Sequence, residues 1–142
     1  DPASALCAAA VAASSAKIAT LGPSLVALYA TVAATLPQAR IAVLGYPRLF
    51  KPGVAPVGDL VNTGTDALNA VIKGSVTATG NARISFVDVS QEFAGHGVGS
   101  TIPYISFTAA NPLAAANFHP NVLGNALGYA RALANDGVLR RP

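Results

Sequence analysis

Apolar positions along this chain fall into two patterns, helical spacing in several long stretches and near-continuous runs in two short ones. Residues 3–20 are mostly small, with Leu6, Val11 and Ile18 as the bulkier apolar members, which predicts a helix. Gly22-Pro23 breaks it, and Pro23 opens a second helix with an apolar face of Leu25, Leu28, Tyr29, Val32 and Leu36. Pro37 ends that helix. Arg40–Leu44 is a short, almost uninterrupted apolar run, as expected of a strand covered on both faces in a parallel sheet. Residues 51–58 hold two prolines and two glycines and read as a loop. Asp59 then suits the N-cap of a helix reaching about Lys73, with Val61, Leu68 and Ile72 on one side. Ile84–Val89 is the second strand. Residues 90–116 show little periodicity, and a connection of that length in a compact domain usually carries function. A last helix follows Pro120, with Leu123, Ala126, Leu127, Ala130, Leu133 and Ala134 at helical spacing and Gly137 as its stop.

This order of elements predicts an α/β fold without internal repeats, within a single domain over residues 1–142. In such folds ligands bind beyond the carboxyl ends of the strands, here Gly45-Tyr46 and Asp88–Ser90. His119 follows the second strand end across the long loop. Pro120 suits the first helical position, so the His119 imidazole is expected at a loop-to-helix corner, where a general base could work. The plainer reading is a histidine that caps or bonds locally.

Composition narrows the classes. Hydrophobic residues make up 52 % of the 142 and charged ones 11 %, too apolar for a disordered chain. No apolar run reaches the length of about eighteen residues that a membrane span needs. The formal charge of +3 comes from scattered basic residues, paired only at Arg140-Arg141, which argues against nucleic-acid binding. The Ala-rich opening lacks a basic segment before it and is read as mature sequence with something upstream removed or absent. Cys7 is the only cysteine, so it is either a small buried apolar side chain or the half of a disulfide to another chain.

Other candidate chemistry is thin. There is no Gly-x-Ser-x-Gly elbow. Gly22-Pro23-Ser24-Leu25 is superficially a Gly-Asp-Ser-Leu nucleophile motif, but Pro23 stands in place of Asp and Ser24 leads a helix rather than following a strand. His96 lies among Gly95, Gly97 and Gly99, which suits a tight turn or a close backbone approach. Asp88, Glu92 and His96 would align as metal ligands only on a helix, which those glycines oppose, so no metal is expected.

Four segments together resemble the SGNH (GDSL-type) esterase/lipase family, in particular its secreted bacterial branch. They are Ala39–Phe50 (Ala-Arg-Ile-Ala-Val-Leu-Gly-Tyr-Pro-Arg-Leu-Phe), Asp66-Ala-Leu-Asn69, Phe86–His96 (Phe-Val-Asp-Val-Ser-Gln-Glu-Phe-Ala-Gly-His) and Asn117-Phe-His-Pro-Asn121. The resemblance implies a three-layer, flavodoxin-like α/β fold of which this chain holds the C-terminal strands. It also implies a secreted or envelope-bound enzyme that hydrolyses carboxylic esters or lipids through a serine acyl-enzyme, without cofactor. His119 matches the family's base. The family often has an Asp three residues earlier, where this chain has Ala116; some members of the branch use a main-chain carbonyl there, so the Ala116 carbonyl is expected to orient His119. The family's nucleophile Ser and its oxyanion Gly and Asn lie upstream of this chain. An N-terminal segment of the same hydrolase is therefore the expected partner, with Cys7 at a position that in the branch pairs with an upstream cysteine. Sheet physics points the same way, because a two-stranded parallel sheet is not independently stable. The rival readings are a non-catalytic fragment or binding subunit, and a hydrolase with a local nucleophile at Ser90 or Ser100.

Overall fold

The computed structural model describes residues 2–139. In chain order it contains α1 (Pro2–Thr20), α2 (Gly22–Thr35), β1 (Ile41–Leu44), α3 (Pro56–Ala78) and β2 (Ile84–Val87). After a long stretch of turns, a π-helical segment (Gly124–Tyr129) runs into α4 (Ala130–Asn135). β1 and β2 pair in parallel, with Ile41 opposite Ile84 and Leu44 opposite Val87. The expected α/β class with a parallel sheet is observed.

The chain forms two compact units. The first takes in the residues to Tyr46 together with Thr63–Val87, the second Pro47–Asn62 and the residues from Asp88 onward. In the first unit Ile41, Val43, Ile84 and Phe86 pack with Leu25, Tyr29 and Ala33 of α2 and Val76 of α3. The period of two in each strand puts these four residues on one sheet face. The Arg83 guanidinium closes the end of α2 by donating to the carbonyls of Ala33 (2.8 Å), Leu36 (2.9 Å) and Ala39 (3.0 Å). A cation there satisfies orphan carbonyls and complements the negative end of the helix dipole.

The amide of Ile41 donates to the Arg83 carbonyl and that of Gly45 to the Val87 carbonyl. Backbone groups alternate in direction along a strand, so Ala42 and Leu44 turn theirs to the opposite edge of β1. Among the described residues no strand pairs there.

Several boundaries differ from expectation. The helix placed at residues 59–73 is longer at both ends, running Pro56–Ala78. Pro56 supplies the first helical position, where no N–H is needed. Asp59 is inside the first turn rather than at the cap, and its carboxylate accepts the Gly53 N–H at 2.9 Å. Gly74 is passed over, and the stop is Gly80 at φ +60°. The second strand ends at Val87, because the Asp88 carboxylate accepts the Ser90 N–H (2.8 Å) and turns the chain. Val89, expected in the strand, is still fully buried.

Among the described residues no single helix is long and apolar enough to cross a membrane. Ala8–Thr20 and Gly22–Thr35 reach that length and hydropathy only as a pair, bent by 50°. Cys7 falls within α1, but its side chain lies outside the described part, as do Arg140 and Arg141.

Candidate active site

The second unit fixes the backbone around His119 through two antiparallel segments, residues 103–108 and 117–121. The Asn121 amide donates to the Tyr104 carbonyl (2.9 Å), Ser106 to His119 (2.8 Å) and Phe118 to Ser106 (2.8 Å). Side chains extend the ribbon at both ends. Asn117, which is buried, accepts the Thr108 N–H and donates to the Asn111 carbonyl, each at 2.9 Å. Asn121 donates to the Pro103 carbonyl at 2.8 Å. Each such bond is worth about 0.5–1.5 kcal/mol, and together they leave the corner little freedom.

His119 is therefore placed differently from expectation. Pro120 is not the first helical residue; it pairs across the ribbon with Ile105. The helix starts at Val122 and its N-cap is Asn121, whose Oδ1 accepts the Gly124 N–H at 3.0 Å. An Asn in that role outcompetes a histidine two residues earlier. Gly137, at φ +78°, is the helix stop that was expected.

The His119 side chain is exposed, and its imidazole makes no hydrogen bond among the described residues. The Ala116 carbonyl accepts the backbone N–H of His119 at 3.3 Å, not a ring N–H. A carbonyl has two lone pairs, so this bond leaves one acceptor site at Ala116.

Phe118 is the one non-glycine described at positive φ, +63°, a region that bulky residues rarely enter. Its ring contacts Phe107 (centroids 5.4 Å apart) and Phe50 (5.7 Å). Nothing in the sequence marks this conformation, since neither Gly nor Asn stands there.

His96 serves a different purpose. Its ring stacks on Tyr104 at 3.8 Å and 5° between planes, and its Nδ1 is 2.8 Å from the Ile102 carbonyl, which calls for a proton on Nδ1. Gly97 makes the close approach expected of this stretch: a Cβ there would stand 2.6 Å from the Phe50 carbonyl carbon. Asp88, Glu92 and His96 have separate partners, Ser90, Asn135 and Ile102 respectively. Of the local serines, Ser100 has a buried Oγ without a hydrogen-bond partner among the described residues. Ser90 is exposed, and neither serine is bonded to a histidine among the described residues.

Sequence reasoning also missed two asparagines on α3. Asn69 holds Tyr46 from both sides in the first unit, and Asn62 holds Phe50 in the same way in the second. Only the Asp66–Asn69 motif hinted at one of them.

Comparison with known proteins gives the context. No family model matches the chain. It is 31 % identical over 121 residues to Lipase 1 from Streptomyces coelicolor, and 32 % identical over 121 residues to a lipase from Streptomyces rimosus. Each match covers 80 % of this chain and 43 % of the relative. Among solved structures, an extracellular lipase from S. rimosus matches with a TM-score of 0.79 and phospholipase A1 from Streptomyces albidoflavus with 0.74. Both are 29 % identical, over 89 % of this chain and 56 % of theirs. The chain spans about half the length of these relatives. By sequence and by fold the chain is similar to Streptomyces lipases over most of its own length, and it shares their α/β fold.

Proposed function

We propose that this chain is the C-terminal portion of a secreted carboxylic ester hydrolase, an esterase or lipase, in which His119 is the general base. The observation that carries the reading is the contrast at the corner: the segment from Asn117 to Asn121 is tied by several hydrogen bonds, while the exposed imidazole of His119 makes none among the described residues. A base awaiting its nucleophile has this form. The names of the relatives, lipases, support the ester-hydrolase part of the reading.

In this reading a serine upstream of residue 1 attacks the ester carbonyl. His119 takes the serine proton and returns it to the leaving alcohol, and water then releases the acyl group by the same proton route. The free acceptor site of the Ala116 carbonyl takes the Nδ1 proton and holds the tautomer. The segment carrying the serine is held to this chain by sheet pairing and by a disulfide from Cys7, in keeping with an oxidising, extracellular location.

The test is labelling of the complete enzyme, meaning this chain with its upstream segment, by a fluorophosphonate probe, followed by peptide mapping. The label is expected on a serine upstream of residue 1. A labelled serine within residues 1–142, Ser90 or Ser100 included, would overturn the assignment.

A further inference from the structure

The row of rings beside His119 has a use that the hydrogen bonds do not explain. Phe118 is 39 % exposed and Phe107 44 % exposed, and their rings touch. Phe118 keeps that position at a left-handed backbone angle that an asparagine or glycine would adopt with far less strain. The ribbon bonds through Phe118 and Ser106 are all main-chain bonds, so they need no phenyl group at residue 118. A strained residue that keeps its bulky ring part-exposed, one position before His119, is of the kind found at ligand sites.

We infer that Phe118 and Phe107, backed by Phe50 behind Phe118, form the shelf that takes the apolar acyl chain of the ester and set the enzyme's chain-length preference. The inference rests on His119 being the base, because only then does the scissile carbonyl sit beside residue 118. An apolar shelf discriminates by methylene count: each CH₂ removed from water is worth about fourfold in kcat/KM. Aromatic rings suit this, offering a large apolar surface with few rotatable bonds.

The experiment measures kcat and KM of the complete enzyme on para-nitrophenyl acetate and para-nitrophenyl decanoate. The variants are Phe118→Asn, Phe118→Gly and Phe107→Ala. Asn and Gly keep the left-handed backbone and remove the ring; Phe107→Ala leaves residue 118 untouched and covers the case in which the corner variants fold poorly. The decanoate-to-acetate ratio of kcat/KM should fall by about fifteen- to sixtyfold, the cover of two to three methylenes, mostly through KM. Equal losses on both esters, or an unchanged ratio in all three, would overturn the shelf and show that the rings pack against another part of the protein. A His119→Ala enzyme that kept its activity would instead remove the base on which the inference rests. That result is distinct from any change in the ratio.

Discussion

Asn69 and Tyr46 bond to each other twice: the Tyr46 N–H donates to Asn69 Oδ1 at 2.8 Å, and Asn69 Nδ2 donates to the Tyr46 carbonyl at 2.7 Å. A side-chain amide thus stands in for a strand partner just where β1 has ended. Neither Ala nor Asp can make both bonds, each worth about 0.5–1.5 kcal/mol, and water would take the group left over. Asn69→Ala should destabilise the folded protein by about 1–3 kcal/mol, read from the denaturant midpoint. Asn69→Asp should do no better, since a carboxylate cannot donate to the Tyr46 carbonyl. A midpoint unmoved in both variants would show that the loop holds itself.

Gly97 is a second structural test. The atoms that a Cβ would meet are backbone, Phe50 C at 2.6 Å and Lys51 N at 2.8 Å, and backbone cannot swing aside as a side chain can. The same strip is tied by Lys51 N–H to Val98 O (2.9 Å) and by Val98 N–H to Leu49 O (2.8 Å). Gly97→Ala should therefore cost about 1–3 kcal/mol or more by forced separation of the two segments. Gly53, which has nothing within 4 Å of a Cβ, offers open space, and only its φ of +75° resists Ala there.

His119→Ala in the complete enzyme should lower turnover by about three to five orders of magnitude, the scale of losing a triad member. His96→Ala should cost far less, because that ring is engaged with Tyr104 and Ile102. Ala116→Asp should change activity by less than about tenfold if the carbonyl already orients the imidazole. A gain of a hundredfold or more would transfer that role to the missing carboxylate. Steady-state kinetics on one chromogenic ester decide all three.

Tyr29 gives a prediction for alkaline pH. Burial raises its phenol above the ordinary value of 10.0, and Tyr46 nearby adds to the effect. A folded-state pKa above the unfolded one means that the neutral phenol stabilises the fold below about pH 10, and that this contribution is lost as pH climbs through the raised value. Unfolding free energy should fall on that limb, and Tyr29→Phe should flatten it. A tyrosinate absorbance change at the ordinary pH for every tyrosine would contradict the shift.

How much of this was legible in sequence follows from the range of each interaction. α2 showed itself through its periodic apolar face, and β1 and β2 through short apolar runs, both of which are local signals. The ends of α3 did not, since Pro56 and Gly74 each allow either continuation or arrest and only packing decides. His119 was singled out as a candidate through its motif with Pro120, but the bonds around it were invisible, because Tyr104, Ser106 and Thr108 lie in an aperiodic stretch. Asn69 and Tyr46 are 23 residues apart, and no local pattern couples them. Phe118 broke the usual rule that positive φ belongs to Gly or Asn, and residues that break local rules tend to mark function.

The second edge of β1 bears on how the protein can be handled. The outward backbone groups of Ala42 and Leu44 flank apolar side chains, which makes this edge a template for any extended peptide that meets it. In a cell the order of synthesis would matter: a segment translated earlier on the same polypeptide reaches the edge at high effective concentration, before another molecule can. Expressed without such a segment, the chain should self-associate with a strong dependence on concentration. If the proposed upstream segment exists, co-expression or fusion with it should restore a single species in gel filtration. A monomeric chain that unfolds cooperatively on its own would mean that a β1 edge without a strand partner among the described residues is tolerable here.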